Sequence, residues 1–275
     1  MDFIHIRNLE IFGKHGMLAE ENTLGQKFIV SATLRVDLRP TGKTDDLAFS
    51  VDYGEVCRDI RGFTEGNKFR LIETLAEGLC ELILESYPEV KSVTLEVIKP
   101  WAPVFVHLEA VSVEITRMRH TAYLSLGSNI GEREAHLRFA IRELGQVRGC
   151  RVKQTSAMIN TVPYGDQPQG DFLNACLELE TLLTPDELWT AIDRIEQETG
   201  RKRMVRWGPR TLDIDIILFD DEVIRTGRLT IPHSDMHRRE FVLRPLCEIA
   251  PDVLHPIFGK TVCELLVELC GDQES

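Results

Sequence analysis

The stretch GRKRMVRWGPRTLDIDIILFD sets Arg201, Lys202, Arg203, Arg206 and Arg210, five cations in ten residues with no acid among them, directly ahead of Asp213 and Asp215. On a strand, residues two apart share a face, so the two carboxylates converge while Leu212, Ile214 and Ile216 turn toward a core. Hard oxygen ligands at that spacing suit Mg²⁺, which takes one or two carboxylates and fills its shell with water and phosphate oxygens. Guanidinium forks beside such a pair are what phosphoryl transfer from a nucleotide requires, because charge spread over phosphate oxygens must be both neutralised and oriented. The plainer alternative is a solvated basic face beside a strand with two surface aspartates. No GxxxxGK[ST] occurs, so the segment is not a P-loop. His233 and His237 stand four apart, but no Glu follows His233 and no third ligand is evident, which argues against a zinc helix.

The other half of the chain offers a quieter set. Lys99 closes an apolar strand, Tyr53 stands at a helix start, and Glu73 heads an amphipathic helix. Each has an ordinary reading: Glu73 favours the helix macrodipole, Tyr53 packs with its hydroxyl at the surface, and Lys99 is a solvated strand end.

The elements that must position these residues follow from periodicity. Phe3 to Phe12 and Gln26 to Leu38 read as strands, the second with Phe28, Val30, Ala32, Leu34, Val36 and Leu38 on one face. Pro40, Gly42 and two aspartates end that arm. Asp52 to Phe63 and Leu71 to Tyr87 have helical spacing. Alternating runs at Val93–Val97 and Val111–Ile115 flank the loop KPWAP. A boundary falls at about 119 or 120. Beyond it come a strand ending in Gly127, Ser128 and Asn129, a helix over 132–144, a strand over 151–160, a Pro/Gly loop over 162–170, a strand over 172–179, a helix from Pro185, and the strand TLDIDIILFD. That order is ferredoxin-like.

Composition bounds what these elements serve. The 275 residues suit two domains, and 43% hydrophobic with 28% charged residues is ordinary globular usage. Lys plus Arg number 32 against 44 Asp plus Glu, a formal net charge of −12, which argues against nucleic acid or an anionic membrane as partner. A small anionic ligand in a local basic cluster remains compatible with that charge. The seven cysteines lack a CxxC and fall in apolar patterns, as expected of buried thiols in a reducing compartment. With no secretory signal and no apolar run of about 20 residues, a cytoplasmic location is expected.

Two resemblances sharpen this reading. RWGPRTLDIDI, followed by IPHSDMHRREFVLRPLCEIAPD and preceded by LSLGSNIGERE, resembles 6-hydroxymethyl-7,8-dihydropterin pyrophosphokinase over about 121–268. That resemblance implies two Mg²⁺ held by Asp213 and Asp215, and a triphosphate surrounded by Arg201, Arg203, Arg206, Arg210, Arg239 and His233, with Arg228 nearby. Arg201 and Arg210 are implied in catalysis. Asn174 is implied at the pterin edge, Thr161, Val162 and Tyr164 alongside it, and Phe172 and Phe241 on the two ring faces. The chain departs from the familiar pattern at Val162, Phe172 and Ser234.

In the first half, FGKHGMLAEEN, SVDYGEV, LIETLAE and VIKPWAPV resemble dihydroneopterin aldolase over about 3–117. The implied fold is the tunnelling fold, an antiparallel sheet with two helices per subunit, assembled into homo-oligomeric rings with sites between subunits. Glu73, with Ile72 beside it, is implied as the pterin anchor, Lys99 as general acid and base, Tyr53 as proton donor or relay, and Glu21 at the substrate side chain. No metal or other cofactor is implied there, and His5, His15 and His107 show no ligand spacing.

The expectation is therefore an α+β chain. An aldolase domain over 1–119 converts dihydroneopterin to 6-hydroxymethyl-7,8-dihydropterin and glycolaldehyde. A ferredoxin-like pyrophosphokinase domain over 120–275 then pyrophosphorylates the alcohol from ATP, leaving AMP. The rival is a chain in which only the second half is active and the first is a pterin-binding oligomerisation module.

Overall fold

The computed structural model describes residues 2–104, 106–163, 169–199 and 210–273. Tyr164, Arg201, Lys202, Arg203 and Arg206, all singled out above, lie outside the described residues. The chain forms two compact units, Met1–Arg119 and His120–Ser275.

The first unit runs β1 (Asp2–Gly13), α1 (Ala19–Leu24), β2 (Gln26–Val36), α2 (Arg39–Thr44), α3 (Tyr53–Gly66), α4 (Ile72–Ser86), β3 (Ser92–Lys99) and β4 (Val111–Met118). The strands form one antiparallel sheet in the order β1-β2-β3-β4. β2 alternates strictly, with Phe28, Val30, Ala32, Leu34 and Val36 inward, which is the period-two pattern of a half-buried strand. β1 slips register between Ile6 and Leu9, where Asn8 takes φ 55° and its N–H donates to Ser31 Oγ at 3.1 Å. Such a bulge needs the left-handed conformation that Asn tolerates.

Both long helices lie on this sheet, α3 against β1 and α4 against β3 and β4. α3 starts where Asp52 accepts from the Gly54 and Glu55 N–H groups at 2.8 and 3.2 Å, an N-cap. α4 buries Leu75, Leu79 and Ile83 completely, each worth roughly 1.5–3 kcal/mol. Two expectations shift. β2 stops at Val36 rather than Leu38, because 39–44, within the polar stretch expected only to end the arm, winds into a short helix with Pro40 in its first turn, where a missing N–H costs nothing. The six-residue α1 was not foreseen; it is too short to show periodicity.

The second unit runs β5 (His120–Ser128), α5 (Arg133–Gln146), β6 (Cys150–Thr155), β7 (Ile159–Thr161), β8 (Phe172–Thr181), α6 (Pro185–Glu198), β9 (Asp213–Phe219), β10 (Ile224–Arg225), β11 (Thr230–Ile231), α7 (Glu240–Ile249) and α8 (Val262–Gln273). Its main sheet has the order β6-β8-β5-β9, with β7 also on β8 and every neighbouring pair antiparallel. This is the ferredoxin-like order. The single strand expected over 151–160 is two, since the chain breaks between Thr155 and Ile159; Ser156 Oγ there accepts from the Cys176 N–H at 2.9 Å.

α6 opens with a reciprocal cap between Thr184 and Glu187 and with Pro185 in its first turn. One face of the sheet, with Leu124, Leu126, Leu177 and Ile214, packs under α5 and α6. The other, with Cys176 and Ile217, packs under α7 and α8, two helices the periodicity reading did not assign. That second face is also the one that carries Asp213 and Asp215.

Candidate active sites

In the second unit, three neighbouring strands set one row of residues side by side. Gly127 of β5 pairs with Asn174 of β8 on one flank and with Asp213 of β9 on the other. Strands lie about 4.8 Å apart, so Asn174 and Asp213 stand about 10 Å apart across the glycine. A larger residue there would push Asn174 aside, because a Cβ on Gly127 would sit 2.9 Å from Asn174 Oδ1. Above this row opens a cavity of about 260 Å³.

One end of the cavity is shaped for a flat heterocycle. Asn174 is 4% exposed and donates from Nδ2 to Thr161 Oγ1 at 2.7 Å, leaving its carbonyl oxygen toward Gly127. Phe172, Phe241, Thr161 and Val162 line the same end. A planar ring system gains from an aromatic on each face, offset from a perfect sandwich.

The other end is charged. Arg210 forms an ion pair with Asp213. Its backbone is fixed on both sides by Asn129, whose Oδ1 accepts from Arg210 N at 2.7 Å and whose N–H donates to Arg210 O at 3.1 Å. Asp215 has His233 Nε2 and Arg239 Nη1 each at 4.0 Å. Burial, with the Arg239 charge behind it, pushes the His233 imidazole down to about 4 against the pull of Asp235 and Asp213. The Asp235 N–H donates to His233 Nδ1 at 3.3 Å, so the neutral ring carries its proton on Nε2 and presents a donor to the cavity.

Asp213 and Asp215 fit a magnesium ion. Both line the cavity from one face of β9, and among the described residues no third His, Cys, Asp or Glu joins them in a metal-binding group. Two hard carboxylates with remaining positions left to water and phosphate is the magnesium pattern. Behind them lies a smaller polar cavity of about 100 Å³, lined by Trp189, Asp193 and Glu196 of α6 as well as Arg210 and the two aspartates. Arg228 stacks on Trp189 at 4.1 Å, and buried Glu196 accepts from the Ile214 N–H at 2.8 Å, tying α6 to the carboxylate strand. Gly127, Asn129, Trp189, Asp193 and Glu196 were not picked out by sequence reasoning. Glu196 carried a readable sign: it sits four residues after Ile192 on the inward helix face, where a charge demands a partner.

In the first unit, α1 and the end of β3 bring Glu21 and Lys99 together as an ion pair with side chains 8% and 12% exposed. Glu21 also accepts from the Leu18 N–H at 3.1 Å and from Gln26 Nε2 at 3.0 Å. Burial works to raise the Glu21 carboxyl, but the Lys99 hydrogen bond and charge, with the Leu18 and Gln26 bonds, hold it below the usual carboxylate value. Gly16 makes room for that carboxylate; it has φ 151°, and a Cβ there would collide with the Glu21 carboxylate. Ile72 is buried and Glu73 beside it is exposed in the first turn of α4, while Tyr53 is 62% exposed. Neither the Glu73 carboxylate nor the Tyr53 hydroxyl is brought onto the Glu21–Lys99 pair among the described residues.

The comparisons with known proteins divide the same way. The family model of 7,8-dihydro-6-hydroxymethylpterin-pyrophosphokinase matches residues 123–251, and that of dihydroneopterin aldolase matches residues 4–116. A 2-amino-4-hydroxy-6-hydroxymethyldihydropteridine pyrophosphokinase from Haemophilus influenzae is 46% identical over 136 residues, 50% of this chain and 85% of that protein. The folic acid synthesis protein fol1 of Schizosaccharomyces pombe is 35% identical over 231 residues, 78% of this chain but 31% of its own length. The crystal structure of E. coli dihydroneopterin aldolase in complex with neopterin is 29% identical, covers 42% of this chain and 99% of its own, and has a TM-score of 0.40.

Proposed function

The chain belongs to the 7,8-dihydro-6-hydroxymethylpterin-pyrophosphokinase family and carries a dihydroneopterin aldolase domain ahead of that unit, and on that premise we propose which residues perform each reaction. It is a bifunctional enzyme of folate biosynthesis, cleaving dihydroneopterin to 6-hydroxymethyl-7,8-dihydropterin and glycolaldehyde and then pyrophosphorylating the alcohol from ATP. We assign the first reaction to residues 1–119 and the second to 120–275, in the cytoplasm. All seven cysteines are free thiols, which favours a reducing compartment, and no described helix is long and apolar enough to cross a membrane.

The observation that carries the pyrophosphokinase assignment is a single cavity with two chemically distinct ends, Asn174 and two phenylalanines at one and Asp213, Asp215, Arg210, His233 and Arg239 at the other. The pterin edge bonds to Asn174 with its ring between Phe172 and Phe241, and Thr161, Val162 and Tyr164 flank it. The hydroxymethyl oxygen then faces the carboxylates across Gly127. It attacks the β-phosphorus of ATP as its proton passes to water, the bond from that phosphorus to the α-phosphate oxygen breaks, and AMP leaves with that oxygen. Arg210, Arg239 and the His233 Nε2–H neutralise and orient phosphate oxygens, joined by Arg201, Arg203 and Arg206, while Arg228 on Trp189 borders the nucleoside end. Asp213 and Asp215 would hold the two Mg²⁺ ions we assign here, which would supply charge neutralisation for the transfer.

For the aldolase, Glu73 accepts from the pterin 2-amino group and N3–H as a bidentate anchor, with Ile72 beside it. Lys99 transfers protons, with Glu21 as its counter-ion at the substrate side chain and Tyr53 as relay. The 2′-hydroxyl gives up its proton, the C1′–C2′ bond breaks to release glycolaldehyde, and the electron pair passes into the ring C=N. Protonation at C1′ then yields the hydroxymethyl product without a further cofactor. β1 and β4 form the two edges of the sheet. We assign homo-oligomerisation to these edges, which would bring a second copy's Tyr53 or Glu73 to each Glu21–Lys99 pair. A first unit that only bound pterin would have no use for that buried pair.

With dihydroneopterin, ATP and Mg²⁺ supplied to the full chain, glycolaldehyde and AMP are both expected. Asp213→Ala abolishes AMP and spares glycolaldehyde; Lys99→Ala abolishes glycolaldehyde and spares AMP formation from added 6-hydroxymethyl-7,8-dihydropterin. AMP formation by Asp213→Ala, or glycolaldehyde release by Lys99→Ala, would overturn the corresponding assignment.

A further inference from the structure

His15 is completely buried, yet neither reaction above uses it. Its ring is stacked on Phe69 at 5.6 Å and met edge-on by Phe28 at 5.2 Å. Both nitrogens are engaged by backbone. Nε2 lies 3.0 Å from the Thr64 carbonyl oxygen, which only accepts, so Nε2 carries the hydrogen. Nδ1 is 3.1 Å from the Phe69 N–H, which only donates, so Nδ1 is bare. The two contacts together fix one neutral tautomer. Burial keeps the ring's pKa below the ordinary value, with the Thr64 carbonyl opposing and the Lys99 charge adding to the fall.

The bonds of His15 lead in two directions. The next residue, Gly16, donates from its N–H to the Phe69 carbonyl at 2.9 Å, so residues 15 and 16 are clipped to residue 69 by two reciprocal hydrogen bonds. Gly16 is also the residue over which the Glu21 carboxylate lies, and its carbonyl accepts from Asn22 Nδ2 at 2.9 Å. On the far side of the clip, Phe69 lies three residues ahead of Ile72, where α4 begins and Glu73 follows. The segment that carries Glu21 to Lys99 and the segment that carries Glu73 therefore meet at His15.

We propose that His15 is a positioning residue for the aldolase reaction, a neutral imidazole that sets the Glu21–Lys99 pair at a defined distance from the Glu73 anchor through Gly16 and Phe69. The inference rests on the assignment of Glu21, Lys99 and Glu73 to that reaction. A ring anchored on Glu73 still binds when this spacing is lost, but its side chain is misplaced against Lys99, and misplacement of about 1 Å can cost on the order of 100-fold in rate.

The test uses the full chain and three proteins: wild type, His15→Phe, which keeps the stacked ring and loses both hydrogen bonds, and His15→Asn, whose Oδ1 can stand in for Nδ1 as acceptor of the Phe69 N–H. Glycolaldehyde release gives kcat, and fluorescence titration with 6-hydroxymethylpterin, which lacks the cleavable side chain, gives ring affinity. The expected result is a fall in kcat of about 100-fold for His15→Phe with ring affinity within about threefold of wild type, and recovery to within about tenfold for His15→Asn. Unchanged kcat in His15→Phe, or kcat and ring affinity lost in parallel in both variants, would overturn the inference. If His15→Phe does not fold, His15→Leu, which also loses both hydrogen bonds, takes its place: a lowered kcat with ring affinity kept supports positioning, and both kept or both lost refutes it. A wild-type chain that releases no glycolaldehyde is a separate failure, that of the aldolase assignment itself.

Discussion

His233 makes the charged end of the second unit's cavity sensitive to acid. Its imidazole is pushed down to about 4 by burial and the Arg239 charge, against an ordinary value of 6.5. Above pH 6.5 folded and unfolded chains both hold a neutral ring, and its titration costs nothing. As pH falls below 6.5 the unfolded chain takes up a proton that the folded unit refuses until about pH 4, so stability drains across that window and levels off beneath it. By pH 4.5 the loss attributable to this one group is about 2–3 kcal/mol, on the order of 100-fold in the opening equilibrium. The assay is native-state amide exchange of the slowest amides in β5 and β8 at pH 7 and pH 4.5, corrected for intrinsic rates, in wild type and His233→Asn. The variant lacks the titrating ring but keeps the carboxylates, so subtracting its pH dependence cancels their contribution. A residual difference of about 2–3 kcal/mol is expected; identical pH dependence in the two proteins would refute the buried neutral histidine.

Three further outcomes follow from the geometry. Gly127→Ala places a methyl 2.9 Å from Asn174 Oδ1, so the KM for the pterin alcohol should rise by about tenfold or more, in AMP-release kinetics, while the KM for ATP moves less. Lys99→Met leaves the Glu21 carboxylate, 8% exposed, without its counter-ion and should cost about 3–5 kcal/mol in the stability of the first unit, measured by amide exchange in β2 and β3; Lys99→Met with Glu21→Gln should recover most of it. Glu196→Ala removes the acceptor of the Ile214 N–H and should destabilise the second unit by about 1.5–3 kcal/mol, measured by exchange at that amide.

Much of the local structure was readable because it follows from period. The strict alternation of β2, the Asp52 cap of α3 and the Thr184–Glu187 box of α6 are each decided by residues close in sequence. The departures have the same kind of cause. α1 and α2 are too short for periodicity to register, and the break between β6 and β7 exists because Ser156 bonds to Cys176, twenty residues on in the chain. α7 and α8 cover the second face of the sheet, and that need arises only once strands from both ends of the unit have come together.

The two sites divide along the same line. The cation cluster beside two aspartates indicated a nucleotide, the family resemblance of the motifs implied a pterin, and the two-residue spacing of Asp213 and Asp215 alone put both on one face of a strand, because that face is set by the backbone's own repeat. The order β8-β5-β9 is a different matter. It interposes Gly127 between Asn174 and Asp213 and so fixes how far Asn174, the proposed pterin contact, stands from the carboxylates. The burial of Glu21 against Lys99, seventy-eight residues apart, and the clip from His15 to Phe69 belong to the same class. Pairings between distant strands and segments depend on which apolar faces find each other on collapse, and no local pattern in the chain encodes that choice.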